Sequence, residues 1–188
     1  MNLSIFLSAS LTLAFLIFNV KNSERFNIID DRLHQRLIRN RDGFSWQVVA
    51  FLNDPKLMVV WAVLLASTLI DQNKYQTALW VLATLGGTDL AGIILKKLVR
   101  RHRPDLHSDM ENGYSFPSGH VLGATSMALI LVHLFGAKMG TGFVIGLLVI
   151  WLMVVISRLS LKAHYPSDIL AATSLAIICF SITQQVFL

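Results

Sequence analysis

The sequence predicts an all-α fold: a polytopic membrane bundle of six transmembrane helices, with an amphipathic helix lying in the membrane interface between the first two. Three observations carry this expectation. Hydrophobic residues make up 54% of the chain against 14% charged, and the mean hydropathy is +0.60, a balance outside that of soluble domains. The apolar residues gather into runs, most of which approach the ~20 residues a helix needs to cross ~30 Å of hydrocarbon. No run alternates apolar and polar residues in the manner of a barrel strand. Residues 1–188 are expected to form a single integral-membrane domain, with no internal repeats or low-complexity tracts.

The expected spans are Leu3 to Val20, Leu57 to Ile70, Thr77 to Leu95, Val121 to Ala137, Thr141 to Ser157 and Ile169 to Leu188. The first lacks a positive leader and a small-residue cleavage site, so it is expected to stay in the membrane. The second is short and either starts earlier, through "WQVVAFLNDP", or sits tilted. Between these two, Ile29, Leu33 and Leu37 recur at helical spacing among Arg32, Arg36 and Arg39, the pattern of an interfacial helix. Pro104 biases Arg103 away from helix and marks the expected end of the third span. Gly86 and Gly87 are expected to permit close helix packing. Cys179, the single cysteine, excludes an internal disulfide and is expected to pack as a small core residue.

The net charge is +5 and the pI about 9.7. The cations are not interleaved with stacking aromatics on a soluble module, which argues against nucleic acid as a partner. Anionic lipid headgroups fit better.

If each span crosses once, the end of the third, the start of the fourth, the end of the fifth and the start of the sixth meet on one membrane face. They bring together Lys96, Arg103, Ser118, Gly119, His120, Arg158, His164 and Asp168. Fixed cations with two imidazoles and one carboxylate suit an anion. A divalent metal wants several carboxylates or clustered histidines, so no metal and no cofactor is expected. Phosphate matches the forked donors of Arg and the point charge of Lys. "FPSGH" reads as a helix start whose N–H groups favour a bound anion, with Gly119 allowing close approach. His164 stands four residues before Asp168, and Pro166 is placed to start the sixth helix. The carboxylate is therefore expected to hold the proton of one ring nitrogen while the other attacks phosphorus, leaving His120 as general acid.

Three blocks carry a resemblance: "KKLVRRHRP" (Lys, six residues, Arg-Pro), "PSGH" and "SRLSLKAHYPSD" (Ser-Arg, five residues, His, three residues, Asp). Together they are similar to the signature of the type 2 phosphatidic acid phosphatase family, with every signature position matched in order. The resemblance implies a metal-independent lipid phosphatase in which His164 is the nucleophile, Asp168 its partner and His120 the acid. Lys96, Arg103, Ser118, Gly119 and Arg158 would hold the phosphate. It also implies kinship with vanadium haloperoxidases, whose chemistry the membrane spans argue against.

All Lys and Arg except Lys74 and Lys138 lie in or beside the connections on the active-site face. The positive-inside rule alone would put that face in the cytoplasm. Phosphate binding accounts for several of these cations, and the resemblance implies an extracytoplasmic site, which is the expectation adopted. The expected substrate is a lipid monophosphate or diphosphate of the undecaprenyl diphosphate, phosphatidylglycerophosphate or phosphatidic acid type. A membrane phosphotransferase would use the same residues; a lipid-phosphate binding protein would not need His164 and Asp168 aligned. His34, His102 and His133 are expected at the surface or in packing, with His107 a candidate loop contact to substrate. Asp89, an acid well inside a span, is expected to make a structural hydrogen bond to a neighbouring helix.

Overall fold

A computed structural model describes residues 3–38, 43–104 and 113–188, in which all regular structure is helical. The chain runs α1 (Leu3–Asn22), α2 (Glu24–Leu37), α3 (Phe44–Leu52), α4 (Pro55–Asp71), α5 (Tyr75–Val99), α6 (Gly119–Met139), α7 (Thr141–Ser160) and α8 (Pro166–Phe187). Helices α1, α5, α6, α7 and α8 are each long and apolar enough to span a bilayer, and α3 and α4, bent by 42° from one another, reach that length and hydropathy together.

That bend explains the short second run. Pro55 has no N–H to give and disfavours helix at the residue before it. Asp54 accordingly leaves the helix at ψ 136°, and its carboxylate accepts the Lys56 N–H at 2.9 Å to start α4. The second span thus starts earlier than Leu57, as a separate helix.

Helix α8 sits centrally, packed on α1, α5 and α6. Lipid tails are as apolar as the helices, so association rests on close contact of small residues. Ala171, Ala172 and Ala176 of α8 are fully buried. Across helices, the Thr84 and Thr183 hydroxyls meet at 2.7 Å and Trp151 Nε1 donates to Thr125 at 2.8 Å. The close-approach glycines differ from those expected. A Cβ on Gly86 or Gly87 would meet nothing within 4 Å, whereas one on Gly92 would fall 2.5 Å from Leu122 Cδ2 and one on Gly123 3.0 Å from Met58 Cγ. Register around the helix decides this: Gly92 faces α6, while the Gly86–Gly87 pair is exposed. Leu11, Phe18, Leu90 and Leu148 are likewise exposed, as lipid-facing positions should be.

Helix α2 is the expected amphipathic element. Ser23 caps it by accepting the Phe26 N–H at 3.2 Å. Ile29, Leu33 and Leu37 are exposed, and its only buried residues are Asp30 and His34. Its fully buried residues are polar, so side-chain pairing docks it on the bundle alongside Phe26, which packs on the core and meets the Phe15 ring edge-on at 6.3 Å. Arg39 and His107 lie outside the described residues.

Helix α5 stops at Val99, short of the boundary expected from Pro104. Arg100 enters the left-handed region at φ 55° and its N–H closes on the Lys96 carbonyl at 3.0 Å, which ends the helix. The Arg100 Nε donates to the Lys97 carbonyl at 3.0 Å, covering one of the terminal acceptors.

Candidate active site

One cavity of about 420 Å³ collects the residues that the sequence places on one face. Lys96 comes from the last turn of α5, Arg103 from the loop after it, Gly119 and His120 from the first turn of α6, and His164 from the loop before α8. Both histidines thus line a single cavity. Ser118, Arg158 and Asp168 are buried in its surroundings. Arg158 Nη1 is 3.5 Å from His120 Nε2, and Arg103 Nε donates to the Gly113 carbonyl at 3.1 Å.

Ser118 is the N-cap of α6 but its side chain makes no capping bond, and its hydroxyl is buried without a hydrogen-bond partner among the described residues. Buried hydroxyls normally find a partner. Together with uncapped N–H groups at a helix start, this suits an incoming anion.

His164 is wholly buried, and its Nδ1–H donates to the main-chain carbonyl of Ser115 at 2.8 Å. The nearer Asp168 oxygen lies 3.6 Å from the same nitrogen. The proton that the sequence assigns to the carboxylate is thus held first by Ser115, with Asp168 behind it. Nε2 is left with a free lone pair. Burial pushes the His164 pKa down to about 4; the Asp168 charge opposes the shift, and Arg158 and Arg103 add to it. The ring is neutral at pH 7, the state a nucleophile requires.

Asp168 has other partners that sequence reading missed. Arg101 Nη1 donates to its Oδ1 at 2.9 Å and the Tyr165 N–H to its Oδ2 at 2.9 Å. Arg101 is held in turn by Asp30 at 2.8 Å and Asn27 at 3.1 Å, both from α2. The guanidinium also lies 4.0 Å from the Tyr165 ring centroid, a cation–π contact. His34 accompanies Asp30, with Nε2 3.3 Å from the Leu159 carbonyl, and burial holds its pKa below the usual histidine value.

The α3–α4 break supplies Asp54, Pro55 and Lys56 to the cavity wall, which the sequence did not suggest. Asp54 Oδ2 stands 4.0 Å from His120 Nε2. A neighbouring apolar groove of about 280 Å³ between α4, α5 and α6 shares Pro55, Lys56, Lys96 and Gly119 with the cavity, and continues along Val59, Gly92, Ile93 and Leu122. Asp89 lines this groove and makes no hydrogen bond to a neighbouring helix among the described residues, contrary to expectation. Its distance from Lys96 along the same helix leaves it on the groove wall.

The sequence model of the PAP2 superfamily matches residues 77–188. A Haemophilus influenzae protein named phosphatidylglycerophosphatase B is 41% identical over 78 residues, covering 37% of this chain and 31% of that one. A Mycobacterium tuberculosis decaprenylphosphoryl-5-phosphoribose phosphatase is 30% identical over 114 residues, 57% of this chain and 60% of that one. The matched segments thus span less than two thirds of these relatives' own lengths. The crystal structure of a transmembrane PAP2 type phosphatidylglycerolphosphate phosphatase from Bacillus subtilis superposes with a TM-score of 0.81 at 23% identity, covering 96% of this chain and 94% of that one. That likeness concerns the fold.

Proposed function

The chain belongs to the PAP2 superfamily, and from that premise we propose that it is a membrane phosphatase hydrolysing a lipid phosphate or diphosphate through a phosphohistidine, without a metal. The observation that carries this reading is that His120 and His164 line one cavity with Lys96 and Arg103. His164 Nε2 attacks the terminal phosphorus as its bond to the leaving oxygen breaks, that oxygen belonging to the lipid alcohol of a monophosphate or to the lipid phosphate of a diphosphate. His120, in its protonated form, gives that oxygen its proton; the Asp54 carboxylate stands 4.0 Å from its Nε2. Neutral His120 then takes a proton from water, which attacks phosphorus and releases His164 and phosphate. Lys96, Arg103, Arg158, the Ser118 hydroxyl and the α6 N-terminus neutralise and place the anion. The side chains themselves supply the positive charge that a metal would bring.

The apolar groove beside the cavity supports a lipid as the leaving group, its chain lying along Val59, Ile93 and Leu122. Phosphatidylglycerophosphate heads the candidates because several relatives carry that activity in their names; undecaprenyl diphosphate, phosphatidic acid and phosphoribosylated prenyl phosphates follow. The site is assigned to the extracytoplasmic face, since phosphate recognition accounts for cations that would otherwise read as a cytoplasmic signal.

The test is release of orthophosphate by purified protein from a panel of prenyl and glycerolipid phosphates, with and without EDTA. Release that EDTA leaves unchanged and vanadate suppresses is expected, vanadate taking the five-coordinate geometry of phosphoryl transfer. Transfer of phosphate to another acceptor without orthophosphate would indicate a phosphotransferase, and activity lost to EDTA and restored by magnesium would overturn the metal-free mechanism.

A further inference from the structure

We propose that Arg101 and Asp30 are positioning residues for the catalytic histidine, so that the interfacial helix α2 is built into the active site; this rests on the phosphatase reading above. Arg101 lines no part of the catalytic cavity and borders a separate one with Lys21, Asn27 and His102. Among the described residues it reaches the cavity only through its neighbours. One nitrogen of its guanidinium binds Asp168 and the Ser167 hydroxyl, at 2.9 and 2.7 Å, and the other binds Asp30 and Asn27. Asp30 also accepts the Ser167 N–H at 3.2 Å and its hydroxyl at 2.5 Å. The chain of contacts therefore runs from α2 through Arg101 into the first turn of α8.

Burial makes this arrangement costly to break. Asp168 is fully buried, and Asp30 and Arg101 nearly so. A buried carboxylate stripped of its cation is an uncompensated charge. Arg101 also fixes the orientation of Asp168, because the planar fork binds in set directions that a lysine cannot copy. The main-chain carbonyl of Arg101 accepts the Ser115 N–H at 2.8 Å, and the Ser115 carbonyl is the acceptor that holds His164 Nδ1. One residue thus secures both acceptors around the nucleophile, one by side chain and one by main chain. Position 101 has a second reason to be arginine: Tyr165, whose N–H also holds Asp168, packs its ring on the guanidinium.

The groups facing His164 and Asp168 are Arg158 from α7, Arg103 and Arg101 from the loop after α5, His120 from α6, Tyr165 beside them, and Asp30 and His34 from α2. Two substitutions in this set have opposite electrostatic consequences. Removing the Arg101 charge leaves Asp168 free to pull a proton onto His164, so the acid limb of activity moves to higher pH. Removing the Asp30 charge leaves the Arg101 charge wholly to Asp168, so the limb moves the other way or stays.

The experiment compares full-length wild type, Arg101→Gln, Arg101→Lys, Asp30→Asn and the Arg101→Gln/Asp30→Asn double variant in lipid nanodiscs, measuring orthophosphate release across pH. Arg101→Gln is expected to lower kcat by about 100-fold with KM changed less than about threefold, as misplacement of a reacting group does. Arg101→Lys should recover only part of this, and the double variant should be no worse than Arg101→Gln, since Asp30 acts through Arg101. Wild-type kcat and acid limb in Arg101→Gln would overturn the proposal; should that variant fail to fold, unchanged kcat in both Asp30→Asn and Arg101→Lys would overturn it. A wild-type protein releasing no phosphate from any lipid would instead count against the phosphatase reading.

Discussion

His164 Nδ1 lies 2.8 Å from the carbonyl oxygen of Ser115, closer than the 3.6 Å to Asp168. A main-chain acceptor has no titration of its own, so it holds the ring in one tautomer across the whole working pH range. On the proposed mechanism the carboxylate behind it, itself held by Arg101 and the Tyr165 N–H, stabilises positive charge on the imidazole as phosphorus is attacked.

A pH profile tests this arrangement. Because burial holds the free His164 pKa at about 4, kcat/KM should stay high as pH falls from 7 to 5 and halve near pH 4. The direction follows from the role: protonation removes the attacking lone pair. An acid limb at the ordinary histidine value would show that another group controls it. His164→Ala should reduce phosphate release by at least about 10³-fold, with an unchanged elution profile on gel filtration.

His120 is expected to matter in proportion to the basicity of the leaving oxygen. His120→Gln should cost on the order of 10²–10⁴ in kcat on a lipid phosphate. On an aryl phosphate such as p-nitrophenyl phosphate, whose phenolate leaves without a proton, the cost should be far smaller. Equal losses on both substrates would remove the general-acid role.

Gly92 controls the width of the apolar groove. A side chain there displaces Leu122, whose Cδ2 would lie 2.5 Å from the new Cβ, and Leu122 itself lines the groove. Gly92→Val should raise KM for a long-chain substrate about tenfold, the equivalent of a modest overpacking penalty, and leave a short-chain water-soluble phosphate unaffected. A parallel rise for both would place the lipid chain elsewhere.

Orientation is open to labelling. In a Cys179→Ala background, a cysteine at Gly113, beside the cavity, should react with an impermeant thiol reagent in intact cells, and one at Lys138, on the opposite face, only after lysis. The reverse pattern would put the site in the cytoplasm.

The helical bundle, and the convergence of the proposed site residues on one cavity, are legible because their signals are local. Apolar runs mark the spans, and the four-residue step from His164 to Asp168 survives as a loop followed by the first turn of α8. The support beneath them is not. Three arginines stand in "RRHR", and nothing in it says which turns inward; that is decided by the left-handed Arg100, which ends α5 before Pro104 can. The period of α2 identifies Ile29, Leu33 and Leu37 as an apolar face, but not that Asp30 at its edge turns inward to meet an arginine far along the chain. Gly86 and Gly87 attracted notice as a pair, while the helix register gave the close packing to Gly92.

The two helices that begin beside the cavity are not equivalent. Helix α4 carries its own carboxylate cap, Asp54, whereas α6 begins at Ser118 without one. The α4 wall thus pairs the Asp54 carboxylate with the Lys56 ammonium, while the α6 wall offers main-chain N–H groups. On the proposed mechanism this difference would set the phosphoryl group against the α6 N-terminus and leave the ester oxygen on the side of Asp54 and His120.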